Sequence, residues 1–169
     1  MPGGRLIPII LDDNEMAFCM TEALRRKQDG DARNLNHSST YSRTDEERIK
    51  QETGGCCAEF AVRKHLGEDL MLPFNTFHHV PDILPDIEVR HTYRDNGMLI
   101  VRTNDPESRR YVLVTGAPPE LVIRGWFWGH EARQPKYLRN PRGYRWAYWV
   151  SQVELHPLEL AENITWKEA

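Results

Sequence analysis

The 169 residues suffice for one domain with a hydrophobic core and are too few for two, and 40% hydrophobic with 28% charged residues is the balance of a globular chain, not of a disordered or membrane-embedded one. A formal net charge of -3 excludes a globally basic nucleic-acid binder, so any phosphate contact must come from a local patch. Three cysteines, with Cys56 and Cys57 adjacent and Cys19 apart, argue against a disulfide framework and for a reducing, cytoplasmic setting.

Taken in chain order, residues 1–11 read as a loose or strand-like lead-in. Its apolar run from Leu6 to Leu11 is broken by Pro8 and preceded by a single Arg, which is not the pattern of a signal peptide. No apolar run anywhere approaches the ~20 residues of a membrane helix. Asp12 or Asp13 caps a helix over 13–28, in which Met16, Cys19, Met20, Ala23 and Leu24 recur at helical spacing. Residues 29–43 are polar and read as a loop. Thr44 with Glu47 is a capping box for a second helix, which the spacing lets pause near Gly54-Gly55 and resume to Leu66, with Gly67 as the stop. The period then changes to two. Ile87, Val89 and His91 alternate with Glu88, Arg90 and Thr92, and Asp95-Asn96-Gly97 predicts a hairpin to a return strand over 98–103. Further strands are expected over 111–115, 121–128 and 144–150, with a short helical segment after Gly129 and a last turn or helix from Pro157. Helices first and strands after predict one α/β domain, a mixed central sheet flanked by helices, with its core over about 44–155.

Chemistry concentrates in residues 80–92, where Asp82, Asp86 and Glu88 fall within seven residues of an apolar background. Glu88 and Arg90, two apart on a strand, share a face. Glu59 lies on the preceding helix, with Arg63 one turn further along the same face. Clustered carboxylates repel one another unless a positive charge sits among them, and a hard dication with oxygen ligands is one economical solution. Mg²⁺ or Mn²⁺ in such a place lowers the pKa of a bound water and polarises a phosphoryl group. Arg133, Lys136, Arg139, Arg142 and Arg145 form the best local basic patch for phosphate contacts.

Pro81-Asp82, then Glu88-Val89-Arg90, with Glu59 in Ala58-Glu59-Phe60-Ala61-Val62 on a preceding helix, resembles the PD-(D/E)xK nuclease superfamily. The later Val112-Leu113-Val114-Thr115-Gly116 and Gly125-Trp126-Phe127-Trp128-Gly129 are similar to strands of small phage-encoded members, and the resemblance spans about residues 55–155. It implies a restriction-endonuclease-like core and Mg²⁺-dependent (or Mn²⁺-dependent) hydrolysis of DNA phosphodiester bonds. It assigns Glu59, Asp82, Glu88 and Arg90 as catalytic. Metal ligands would be Glu59, Asp82 or Asp86, Glu88 and the Val89 carbonyl, and Arg63 would join the patch over 133–145 in holding DNA. A homodimer is compatible with this, and a membrane is not expected. Arg90 stands where the family has Lys; a guanidinium stabilises negative charge but cannot act as a base. That departure keeps open a catalytically inactive, DNA- or protein-binding relative.

Plainer readings compete at each position. Pro81-Asp82 and Pro85-Asp86 suit ordinary turns, Glu88 and Arg90 a solvated edge strand or a cross-strand ion pair, and Glu59 with Arg63 a helical i,i+4 pair worth ~0.3–0.5 kcal/mol. Cys56 and Cys57 with His65 fit no zinc spacing and read as buried helix cysteines. His78-His79 reads as polar loop. Tyr144, Trp146, Tyr148 and Trp149 either pack the sheet or stack bases.

Overall fold

A computed structural model describes residues 5–32, 44–70, 80–83 and 85–159. The expected polar loop from 33 onward and the His78-His79 pair lie outside these residues. Ten elements follow in order: β1 (Ile7–Ile10), α1 (Asp13–Ala32), α2 (Asp45–Leu66), β2 (Ile87–Thr92), β3 (Leu99–Arg102), β4 (Arg110–Thr115), β5 (Glu120–Trp128), α3 (Gly129–Ala132), β6 (Leu138–Arg139) and β7 (Ala147–Val150).

Both long helices start on reciprocal caps. Glu15 N–H donates to Asp12 Oδ1 at 2.8 Å while Asp12 N–H donates to Glu15 Oε2 at 2.9 Å. Thr44 and Glu47 form the expected box, and Gly67 ends α2 in the left-handed region at φ 67°. The first helix, however, runs past the expected end at residue 28 to Ala32, because Asp29-Gly30 does not stop it. Its buried stripe is Cys19, Glu22, Ala23, Arg26 and Gly30, while Met20 and Leu24 are exposed. The apolar pattern thus places Met16, Cys19 and Ala23 correctly on the inner face and Met20 and Leu24 wrongly, and it misses the two charged residues that share that face. Nor does α2 pause at Gly54-Gly55. The helix is continuous there because Gly54 lets it lie against β2 and the residue after it, where an added Cβ would sit 2.6 Å from the His91 ring and 2.9 Å from the Tyr93 hydroxyl.

The strands divide between two sheets. The larger has the order β1-β5-β4-β2, with β2 parallel to β4 and the other pairs antiparallel; the smaller has the order β3-β7-β6. The expected hairpin between residues 87–92 and 98–103 does not form. After Thr92 the chain leaves the first sheet, and β3 pairs with β7 (Leu99↔Val150, Val101↔Tyr148) in the second. Strand β2 instead joins β4, with Glu88 opposite Tyr111 and Arg90 opposite Leu113. Residues over the expected 144–150 strand are extended only from Ala147, and residues 152–154 make a 3₁₀ turn before Pro157.

Alternation within β4 explains the layering. Val112 and Val114 pack with Ile87, Leu121 and Ile123 against Cys19, Ala23, Ala58 and Val62 of the two helices. Tyr111 and Leu113 point the other way, onto Leu99, Val101, Phe127 and Val150. A central sheet buried on both faces follows, which is why every residue of β4 is buried. Cys19, Cys56 and Cys57 are free thiols buried in the helical layer, as expected for Cys56 and Cys57. No helix among the described residues is long and apolar enough to cross a membrane.

A bulge at Arg124 lets β5 bend, since Leu113 pairs with Gly125 and Val114 with Ile123. Gly125 takes φ 137°, and a Cβ there would lie 2.5 Å from the His156 carbonyl oxygen. Gly125→Ala is expected to destabilise the fold by about 1–3 kcal/mol. The check is the urea midpoint, which falls at unchanged denaturant slope.

Candidate functional site

The site is built at the open edge of β2. In a β-strand the N–H and C=O of one residue point to the same side, so residues flanking Val89 bond to β4 while Val89 faces outward. Asp82, brought alongside by the Ile83–Ile87 bridge, accepts the Val89 N–H through Oδ2 at 2.7 Å. The Val89 carbonyl therefore belongs to the same edge as the Asp82 carboxyl.

Asp82 joins two layers. On the helical side Glu59 lies near enough for the two charges to repel. On the opposite side the Asp82 and Glu88 carboxyl groups are in hydrogen-bond contact, which requires a proton between them. Burial, reinforced by Glu88, pushes the Asp82 pKa up to about 7 against the Val89 N–H and Arg90, which pull it down. Burial, then Asp82, raises Glu59 to about 7, with the Arg26 guanidinium opposing. Glu88 is raised by burial, with Arg90 and Arg109 opposing.

Arginines surround these acids. Arg26 of α1 grips Glu59 with both terminal nitrogens at 2.9 Å, a bidentate pair with each side chain only 9% exposed. Arg63 donates to the Asp82 carbonyl oxygen and, at 2.9 Å, to the Asp69 carbonyl oxygen. Arg109 is ion-paired with Glu88. Arg90 reaches Asp105 at 2.6 Å, and its guanidinium lies over the Tyr111 ring at 5.2 Å. The Nε atoms of Arg63 and Arg90 are buried without a hydrogen-bond partner among the described residues.

Glu59 and Glu88 thus each neighbour Asp82 from opposite sides, with Arg90 near Asp82 and Glu88 and the Val89 backbone beside them. Asp86 is directed elsewhere: it accepts from Arg110 Nε at 2.9 Å. Arg63, expected to contact nucleic acid, is buried against the backbone of residues 69 and 82 and offers no surface charge. The basic patch divides as well. Arg133 donates to the Asp105 carbonyl oxygen and pairs with Glu107 at 3.3 Å, and Lys136 faces Glu154 at 3.5 Å. Arg139, Arg142 and Arg145 are exposed. Among the described residues, no three His, Cys, Asp or Glu side chains are disposed as a ready ligand set for a metal ion.

The sequence reading missed Arg26, Arg109 and Asp105. Arg26 had a signal: it falls three residues after Ala23 and seven after Cys19, in phase with the buried stripe. Arg109 and Asp105 lie in a turn whose fold-back cannot be read from local pattern. No protein-family model, curated protein or solved structure matches the chain.

Raised carboxyl pKa values favour the fold at low pH. The contribution is complete below the unfolded values near 4 and is lost as pH rises through about 7. Asp82→Asn removes one titrating group, so wild type should gain stability relative to this variant as pH falls from about 7 to about 4. The gain approaches ~1.4 kcal/mol per pH unit at most. Chemical denaturation with a chelator present measures it, and a pH-independent difference contradicts it. Arg26→Met leaves Glu59 without its bidentate partner and should cost about 3 kcal/mol, most of it recovered in Arg26→Met/Glu59→Leu. Paired melting curves provide the test.

Proposed function

We propose that the β2 edge is a metal-dependent phosphodiester hydrolase site acting on DNA, in a core of restriction-endonuclease type. One observation carries this: a half-buried acid bonded to the outer edge of a strand lies beside a second acid on that strand and near a third on the helix behind it. The order helix-acid, edge-acid, strand acid-x-cation matches the resemblance read in the sequence.

The donors suit a hard dication. Mg²⁺ needs only one or two protein carboxylates, the rest of its shell being water and phosphate oxygen. Asp82, Glu88 and the Val89 carbonyl would hold it, and Glu59, fixed by Arg26, would orient from the helix. A bound ion would lower the pKa of the attacking water and polarise the phosphoryl group. The chain's own residues supply the rest. Deprotonation of the Asp82–Glu88 pair frees oxygens at neutral pH and above. Arg90, whose buried Nε has no acceptor among the described residues, would add positive potential where phosphate charge develops. Arg109 must yield Glu88 before that carboxylate can turn to a cation.

A second reading has its own observation. Glu59 and Glu88 already carry arginine partners, and Arg90 is committed to Asp105, as in a scaffold whose acids are neutralised internally. That pattern suits a binding module of the same fold without hydrolysis.

Plasmid and single-stranded DNA incubated with Mg²⁺ or Mn²⁺ separate the two. Wild type should cleave, and Glu88→Gln should lower the rate at least about 100-fold. Mn²⁺ should also raise the melting temperature of wild type and not of Asp82→Asn; saturation at about 100 times Kd corresponds to ~2.7 kcal/mol. Absence of Glu88-dependent cleavage leaves the binding module, and absence of the Mn²⁺ shift as well removes the metal.

A further inference from the structure

We propose that the turn between β6 and β7 is a stacking platform for the unpaired bases of single-stranded DNA. The inference rests on the reading above, since it names the form of nucleic acid the hydrolytic site would receive.

Strands β6 and β7 pair through Leu138↔Tyr148 and Arg139↔Ala147, so residues 140–146 form the connecting turn. The turn is held by its own bonds. Asn140 Oδ1 accepts the Arg145 N–H at 3.0 Å, the Asn140 carbonyl accepts the Gly143 N–H at 3.2 Å, and Gly143 takes φ 74°. On this framework Tyr144 is 62% and Trp146 59% exposed. These rings are presented to solvent, while Tyr148 and Trp149, which follow in β7, are half-buried. Large exposed aromatics in so small a region mark an interaction surface rather than a core.

Charge identifies the occupant. Arg142 and Arg145 in the same turn and Arg139 just before it are exposed, and no Asp or Glu occurs between Glu131 and Glu154 in a chain whose net charge is -3. Cations beside accessible ring faces recognise a ligand that is anionic and carries its own flat apolar faces. Single-stranded nucleic acid has both properties, its phosphates meeting guanidinium groups while its bases lie on aromatic rings. In a duplex the base faces are already stacked on one another, so the rings would find no partner there. Apolar protein partners would not require the three arginines, and acidic partners would not require the rings.

Binding is read by fluorescence anisotropy of a labelled oligodeoxythymidine of roughly 15 nucleotides, at low salt with chelator present. The full chain should bind it more tightly than a duplex of equal length, with quenching of tryptophan emission. Tyr144→Ala and Trp146→Ala should each weaken binding about 5- to 100-fold, with melting temperatures unchanged because both rings are exposed. Replacing Arg139, Arg142 and Arg145 by Gln should flatten the slope of log affinity against log salt by about 2. The platform is overturned if wild type does not bind, if the duplex binds as well, or if the Tyr144→Ala/Trp146→Ala double variant binds like wild type. Asp82→Asn separates this inference from the hydrolytic one. It should bind the oligonucleotide normally, so ring-dependent binding without metal-dependent cleavage keeps the platform and removes the nuclease. Cleavage of single strands that ignores Trp146 does the reverse.

Discussion

Everything at the β2 edge depends on the Asp82 carboxyl accepting the Val89 N–H. An edge strand leaves alternate backbone groups without a neighbouring strand, and a buried N–H left that way costs as much as a lost hydrogen bond. Asp82 supplies the acceptor, which fixes the segment before β2 against the strand it leads into. Having been placed for that reason, the same carboxyl stands between Glu59 and Glu88, and three acids then share a region poor in water. The arginines around it follow from electrostatics. Removing a carboxylate from water is costly, and Arg26 and Arg109 offset the cost at Glu59 and Glu88. Among the described residues the Asp82 carboxyl is held by the Val89 amide and by its contact with Glu88, not by a guanidinium.

This arrangement is poised rather than relaxed. Two carboxyl groups titrating near 7 change charge within the range where most phosphoryl chemistry operates. A protonated pair is compact and stable; a deprotonated one repels itself and attracts a cation. The Arg109–Glu88 ion pair stabilises this arrangement, and a dication bound as proposed would have to displace it.

Much of the fold was legible because it rests on local rules. Thr44 and Glu47 announced α2, Gly67 its end, and the Tyr111–Thr115 run a strand buried on both faces. In α1 the apolar spacing found the inner face through Met16, Cys19 and Ala23 but not the Glu22 and Arg26 that share it, because a hydrophobic template assigns charged residues to the outside. The hairpin failed for a different reason. Asp95-Asn96-Gly97 does make a turn, with the Gly97 N–H bonded to the Arg94 carbonyl, but the strands it connects enter different sheets, and turn chemistry carries no information about which neighbour a strand will choose. At the site, Glu59, Asp82 and Glu88 could be named from order along the chain. Of the ion-pair partners around them, Arg26 lies in phase with the buried stripe of α1, whereas Arg109 and Asp105 arrive from a turn whose meeting with β2 is a property of the whole fold.

The pairing of β1 with β5 sets a timetable for the chain's synthesis. Ile7 lies opposite Ile123 and Ile10 opposite Glu120, so more than a hundred residues separate the partners. A nascent chain emerging at roughly 5–20 residues per second holds that first strand unpaired for several seconds at least. During this interval α1 and α2 can already associate, since their contact needs only sequence that has left the ribosome. Completion of the central sheet is therefore a late event, and the apolar edge waiting for it is the segment of this molecule most exposed to misassembly or chaperone capture.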